Sequence, residues 1–398
     1  MIERVSKHFY EHGIKAVENG RCKRCNSFNT KMDFRGVEYC LDCYTFKEIN
    51  SSHYLIRRMR TFKKVVHELE LGFELSESQN RGSNFLLMNF TEGKDSFLHA
   101  VCGAGKTEMV LKVILEALNK NLSVAFVIPR VEIIKQVYIR ISLYLPNTKV
   151  SYLYGGANLD ESFHLLVTTP QQLIKFYQEF DLLIIDEIDA FPFVDNPFLE
   201  RLIDKAKKDK ARFIYMSATL SKKYEQKIEK KELEYHLIPR RFHKKDLCVP
   251  LFVQADDFKS ERIIKYITTL IDNNKGLIIY LPSINKGKVF KDYLEGLKIN
   301  CGLISSETKY KAIVLKDFIN GNFKVLISTT ILERGVTFNN VNVIVIETDN
   351  KVYNEATLIQ IAGRVGRSGD DGMVVFFARE KSSAMIKARN KIIEFNRR

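Results

Sequence analysis

The chain has 398 residues, 45% of them hydrophobic and 28% charged, which excludes a disordered protein and leaves room for two or three folded domains. No apolar run reaches the length of a membrane-spanning helix, and the opening MIERVSKHFYEHG lacks a secretory signal's apolar core. A cytoplasmic chain without direct membrane insertion is therefore expected, and its seven cysteines argue against a disulfide framework. The net charge of +14 is uneven. Residues 1–75 carry 14 Lys/Arg against 10 Asp/Glu, residues 76–235 carry 21 against 21, and residues 236–398 carry 27 against 17. An excess at the two ends suggests a polyanion contacted there.

In chain order, the first chemical signal is Cys22-Lys-Arg-Cys25, followed by Cys40-Leu-Asp-Cys43. Two such knuckles offer four soft thiolates, which suit a tetrahedral structural Zn²⁺. All four positions are filled, so metal catalysis is not expected, and Val37–Tyr39 with the residues before it reads as a small β-hairpin. The stretch Ser51–Lys64 then holds Arg57, Arg58, Arg60, Lys63 and Lys64 with Tyr54 and Phe62 and no acid. It can follow a nucleic-acid backbone or be a solvated helix face. Gln79 opens a helical stretch about twenty residues before the next motif, where its amide can supply one donor and one acceptor to an adenine edge.

A short strand ending near Leu98 runs into AVCGAGKT and then a helical stretch beginning near Lys106. Strand, glycine-bearing loop, Gly-Lys-Thr and helix form a phosphate-binding loop. Gly103, Ala104 and Gly105 let successive N–H groups face a polyphosphate, Lys106 reaches its outer phosphates, and the Thr107 hydroxyl sits on Mg²⁺. Ala100 stands where the general pattern has Gly. Strand and helix patterns alternate afterwards, as in a parallel sheet. Leu122–Ile128 ends at Arg130, Lys149–Tyr154 follows, and Leu165–Val167 ends at Thr168-Thr169-Pro170 before a predicted helix in QQLIKFY. In FDLLIIDEIDAF a buried strand delivers Asp186 and Glu187 at its carboxyl end, where ligands of open parallel sheets bind. Asp186 suits the Mg²⁺ shell and Glu187 the attacking water. Ser217-Ala218-Thr219 ends another strand with two hydroxyls able to bond neighbouring carboxylates.

Residues 221–246 read as a helix and a crossing between domains, closing on the basic knot Arg240–Lys245. A second α/β series follows, with strands at Leu277–Leu281, Val325–Ile327, Val343–Ile346 and Val374–Phe377. It has no phosphate loop. Instead it supplies Gln360, Arg364 and Arg367, spaced to share one helical face, and Arg suits a γ-phosphate.

Taken in order, AVCGAGKT, DEID, SAT, TTILERGVT and QIAGRVGR resemble the motor motifs of superfamily 2 helicases and translocases. With a four-Cys module in front, the chain is closely similar to the ComFA family of competence ATPases, and the likeness covers essentially the whole length. The resemblance implies two RecA-like parallel-sheet domains in tandem behind a small zinc-binding module. The expected boundaries are 1–65 for the module and basic connector, 66–238 for the ATP-binding domain and 239–398 for the second. It implies ATP, Mg²⁺ and Zn²⁺, with Lys106, Asp186, Glu187, Arg364 and Arg367 catalytic, and Gly335 and Gln360 among the nucleotide contacts. By the same likeness Arg130, Thr169 and Thr330 grip one strand's backbone, and Ser217 and Thr219 couple hydrolysis to domain closure. The implied activity is a single-stranded-DNA-stimulated ATPase that translocates DNA during natural transformation, with partners in the uptake machinery that recruit it to the inner face of the membrane. A replication-restart or repair helicase, an RNA helicase, and a zinc-dependent nucleic-acid switch with a vestigial ATPase are the alternatives. Ile188 after Asp-Glu separates the chain from the common RNA-helicase pattern, and Thr337 stands where several relatives carry an acid.

Overall fold

The computed structural model describes residues 1–8, 12–189, 192–193, 196–272, 275–329, 338–366 and 371–398. They form two compact units, one of residues 1–99 with 106–237 and one of residues 100–105 with 238–398.

The first unit opens with short strands: β1 (Ile2–Ser6), β2 (Ile14–Lys15), β3 (Val17–Glu18), β4 (Arg21–Cys22), β5 (Thr30–Met32), β6 (Glu38–Cys40) and β7 (Tyr54–Arg58). β5 and β6 pair antiparallel as the expected hairpin between the Cys pairs. β1, β7 and β2 make a separate small sheet. The main sheet has strands β8 (Ser96–Ala100), β9 (Val124–Val127), β10 (Val150–Leu153), β11 (Leu165–Thr168), β12 (Phe180–Asp186), β13 (Lys207–Ser217) and β14 (Glu234–Ile238). Their spatial order is β10-β11-β9-β12-β13-β8-β14, with parallel pairing from β10 through β8. β9 and β11 are buried at every position, as a strand covered on both faces must be. The helices are α1 (Glu77–Thr91), α2 (Lys106–Met109), α3 (Leu111–Asn119), α4 (Val131–Tyr144), α5 (Pro197–Ala206) and α6 (Lys222–Glu229). The predicted helix after Pro170 is a 3-10 segment, Pro170–Lys175.

The four-Cys segment shares its core with this sheet. Cys22, Cys25, Cys40, Cys43, Ile49 and Leu55 belong to one apolar cluster with Ala125, Val127, Leu183 and Ile185. The basic run 51–64 is not the solvated helix face weighed from sequence. Arg57 pairs with Glu3, Arg58 with Glu161 and Arg60 with Glu179, and Arg57 and Arg60 lie over the rings of Tyr177 and Phe163. These three cations are paired with the unit's own acids, Arg57 and Arg60 as a largely buried seam and Arg58 at the surface. Lys205 completes the seam, with its Nζ 2.7 Å from Glu3 and donating to the Ile174 carbonyl. Lys205→Ala is expected to lower the unfolding free energy by about 3 kcal/mol, because it leaves a buried carboxylate short of a partner while Arg57 still pairs with it. Urea denaturation reads this directly, and an unchanged midpoint would remove the network from the fold's stability.

The second unit carries β15 (Leu251–Gln254), β16 (Gly276–Tyr280), β17 (Cys301–Ile304), β18 (Val325–Ser328), β19 (Val341–Val345) and β20 (Val374–Ala378), with α7 (Glu261–Asp272), α8 (Ile284–Gly296), α9 (Lys311–Ile319), α10 (Glu355–Ala362) and α11 (Ser383–Arg397). Its sheet runs β15-β20-β19-β16-β18-β17, all parallel. β15 and β17 are additions to the sequence reading, too short and too little alternating to stand out.

Candidate nucleotide site and metal centre

The phosphate loop takes the backbone its glycines permit. Gly103 and Gly105 sit at φ 82° and 81°, left-handed values at which a side chain is strained. The helical stretch begins at Lys106, as expected. Residues 100–105 group with the second unit. Within that unit the Cys102 thiol donates to Gln360 Oε1 at 3.0 Å, and a Cβ on Gly363 would come within 2.9 Å of Cys102 Cβ.

In the first unit, β12 delivers Asp186 at its end and the chain turns at Glu187, whose φ of 52° is again left-handed. A non-glycine residue held there costs on the order of 1–3 kcal/mol, and such strain clusters at functional sites. Asp186 Oδ1 accepts the Glu187 backbone N–H at 2.9 Å, which braces the turn. Burial pushes the Asp186 carboxyl up to about 6, with Glu187 and Asp189 adding to it and the Lys106 ammonium opposing. A half-buried cluster of three carboxylates beside one lysine fits an oxygen-seeking divalent cation. Thr107 lies next to Lys106 in the same helical turn, so its hydroxyl is available to the same shell.

Of the two hydroxyls expected to bond neighbouring carboxylates, Thr219 does so and Ser217 meets backbone instead. Thr219 Oγ1 donates to Asp189, and Ser217 Oγ accepts the Thr219 backbone N–H at 3.0 Å. Asp189 is thus a site residue that sequence reasoning passed over, although the DEID string contained it. His99 is another, since its Nε2 bonds the Ala218 carbonyl at 3.0 Å and its Nδ1 faces the Tyr235 hydroxyl at 2.9 Å. Together they fix the Ser-Ala-Thr turn beside the carboxylates.

Gln79 is buried in the first turn of α1, and its Oε1 accepts the Ser76 N–H in a capping box. As placed, its acceptor serves the helix cap. Arg130 precedes α4 and lies 4.0 Å from the Glu187 carboxylate. Thr169 precedes the 3-10 segment and is buried.

The expectation that Gln360 and Arg364 share a helical face is corrected. α10 ends at Ala362, with Gly363 as its cap, and the next N–H groups, of Arg364 and Val365, bond the Ile361 and Ala362 carbonyls three residues back instead of four. Arg364 follows in the turn and is fully buried. Arg241, counted with a basic knot, is also buried and donates to the Val365 and Gly363 carbonyls at 2.8 and 3.1 Å. It braces this turn instead of presenting charge to solvent. Arg367, Thr330, Gly335 and Thr337 lie outside the described residues.

The four candidate zinc ligands are buried and unbridged, with their sulphurs within 4.8 Å of one another. Cys22 and Cys43 Sγ are 3.8 Å apart, and Cys25 and Cys40 Sγ 3.6 Å. Four sulphurs about 2.3 Å from a tetrahedral centre stand ~3.8 Å apart, so the set fits Zn²⁺.

Two parallel-sheet RecA-like domains behind a four-Cys centre define a helicase-type ATPase. The DEAD/DEAH box helicase family model matches residues 83–227, and the helicase conserved C-terminal domain model matches residues 259–369. The competence protein ComFA of Streptococcus pneumoniae is 33% identical over 94% of this chain and 90% of its own length. That of Bacillus subtilis is 29% identical over 94% and 85%. The chain belongs to the ComFA competence protein family. Among solved structures, S. cerevisiae Dbp5 bound to RNA and ADP BeF3 matches with a TM-score of 0.62 at 17% identity, over 81% of this chain and 88% of that one. RecG bound to a three-way DNA junction matches at 0.59 and 19%, over 83% and 47%. At such identities the likeness concerns the fold. Among the described residues no helix is long and apolar enough to cross a membrane.

Proposed function

We propose that the chain is a DNA translocase driven by ATP hydrolysis, stimulated by single-stranded DNA, that powers DNA import during natural transformation. The observation that carries this reading is its similarity to two competence proteins along 94% of its length. In it Lys106 binds the outer phosphates, Thr107 and Asp186 hold Mg²⁺, and Glu187 orients the attacking water. Arg364 and Arg367 complete the site from the second domain, with Gln79, Gly103, Ala104, Gly105, Gly335 and Gln360 around the nucleotide. Mg²⁺ supplies charge neutralisation on the transferred phosphoryl group. Ser217 and Thr219 hold Asp189 in register with the carboxylates as the site closes. The domain boundaries 1–65, 66–238 and 239–398 belong to the same reading, as do partners in the uptake machinery at the inner membrane face.

The proximity of Arg130 and Glu187 supports stimulation by a strand. Arg130, Thr169 and Thr330 are the proposed backbone contacts. A phosphate that draws Arg130 away from Glu187 frees the carboxylate for water, so strand binding and hydrolysis are linked through one side chain. Steady-state ATP hydrolysis without nucleic acid and with single-stranded DNA, RNA or duplex DNA tests the reading. The expected order puts single-stranded DNA first. Greatest stimulation by RNA moves the assignment to an RNA helicase, and no hydrolysis under any condition leaves the vestigial switch. In cells, deletion is expected to lower transformation by linear DNA sharply with sensitivity to DNA damage unchanged; the reverse pattern assigns the motor to repair.

A further inference from the structure

β10 is an edge strand of the first unit's main sheet, and three tyrosines gather where it ends. Tyr152 within it and Tyr154 just past its end point to one face, and their rings stack at 5.9 Å between centroids and 10° between planes. The Tyr138 ring of α4 meets Tyr152 at 4.9 Å. One turn earlier on that helix, Lys135 holds its ammonium over the Tyr154 ring, 5.8 Å from the centroid. The ladder thus ends on a half-buried ring with an exposed lysine over it. Among the described residues Lys135 has no carboxylate partner. Arg57 and Arg60, which also lie over rings, are paired with Glu3 and Glu179.

The neighbouring strand fixes where Tyr154 stands. Leu153 of β10, Thr168 of β11 and Val127 of β9 are in register across the three strands. The Leu153 carbonyl, in the peptide that leads into Tyr154, accepts the Thr168 hydroxyl at 3.0 Å and the Thr169 N–H at 3.2 Å. Tyr154 and Thr169, with Arg130 just beyond β9, therefore leave the sheet at the same carboxyl edge, where ligands of open parallel sheets bind. Past Tyr154 the chain turns, because the Ala157 N–H bonds the Tyr154 carbonyl at 3.0 Å across Gly155 and Gly156. Both glycines are exposed, and a Cβ on either would meet nothing within 4 Å. Open space lies along this turn, and the turn puts no side chain of its own beside the ring.

We propose that Tyr154 is a stacking platform for one base of single-stranded DNA, with Lys135 on a flanking phosphate, one strand further along the sheet than Thr169. A base takes the ammonium's place over the ring, and the flexible lysine follows the phosphate. Tyr152 and Tyr138 back the ring and hold its plane. A tyrosine face accepts any base, so the contact strengthens the hold without reading sequence. The inference rests on the strand reading of Arg130 and Thr169 and adds a base contact to their backbone grip.

The chain contains no tryptophan, so Tyr154→Trp introduces a single reporter that keeps an aromatic face. Its fluorescence is expected to be quenched by oligo(dT) up to stoichiometric binding, and far less by an abasic oligonucleotide of equal length, which offers phosphates without bases. Fluorescence anisotropy of both labelled oligonucleotides with the full chain, across a salt series, compares wild type with Tyr154→Leu and Lys135→Gln. Zinc content and melting temperature establish that each variant is folded, and the Tyr154→Trp quench alone decides if Tyr154→Leu is not. Tyr154→Leu is expected to bind oligo(dT) roughly tenfold more weakly with the salt slope retained, and the abasic strand as wild type does. Lys135→Gln is expected to lower the slope of log K against log salt by about 0.7 for either oligonucleotide, one phosphate contact. An equal loss by Tyr154→Leu on both strands would mark a structural role for the ring and overturn the platform. Unchanged affinities, or an unquenched Tyr154→Trp that binds normally, overturn it too while leaving strand-stimulated hydrolysis standing. A wild type that neither binds oligo(dT) nor is stimulated by it overturns both readings.

Discussion

Glu187→Gln is expected to bind ATP close to normally and to lose at least a hundredfold in turnover, about 3 kcal/mol of transition-state stabilisation. Gln has the shape of Glu and tolerates the left-handed backbone at this position no better and no worse, so the turn at φ 52° and the Asp186 bond to its N–H persist. What disappears is a carboxylate able to orient water and accept its proton. Lys106→Ala is expected to behave differently: the ammonium opposes the carboxylate cluster and in the proposed site meets the phosphates, so nucleotide binding itself should weaken. A second readout separates a catalytic role from a structural one. Glu187→Gln also removes the charge facing Arg130 at 4.0 Å, so its affinity for single-stranded DNA should equal or exceed that of wild type. Near-normal steady-state hydrolysis by Glu187→Gln would remove this residue from the chemistry.

Cys40→Ser is expected to cost the bound zinc, about one per chain, and to destabilise the whole first unit and not only the segment around the knuckles. The zinc ligand candidates share an apolar cluster with Ala125, Val127, Leu183 and Ile185 of the main sheet. They also hold α5 from outside, through Asp42 to Arg201 at 2.5 Å and Phe46 on Phe198. Structural zinc contributes roughly 10–16 kcal/mol of apparent binding free energy in small modules, which is as large as the stability of a typical domain. The melting transition of the first unit should therefore move down as a whole. Replacing Cys102, Cys248 or Cys301 should leave zinc content unchanged, since those thiols lie outside the cluster of four. Zinc retained by a Cys22/Cys25 double replacement would show that the ligand set is wrong.

The local geometry of the candidate sites was legible wherever it depends on short spacing. A loop that curls around phosphates needs Gly103 and Gly105 beside Lys106, a sheet-edge carboxylate pair needs an apolar strand before Asp186, and a tetrahedral thiolate centre needs two close Cys pairs. Local geometry alone imposes these patterns, so composition and periodicity expose them. The sequence also carried the alternation of buried strands and helices that makes two parallel sheets.

Charge partners were not legible, because they are set by residues far apart in the chain. Arg57, Arg58 and Arg60 read as a basic run until Glu3, Glu161 and Glu179 are seen against them, and Arg241 read as surface charge until its guanidinium is found on the Gly363 and Val365 carbonyls. Helical spacing linked Gln360 to Arg364, but Gly363 ends the helix between them. Asp189 lay in plain view within DEID, and only its bond from Thr219 gives it a task. Tertiary structure alone decided that the four-Cys segment is built into the first unit's core, since an apolar residue shows that it will be buried but not which distant residues will cover it.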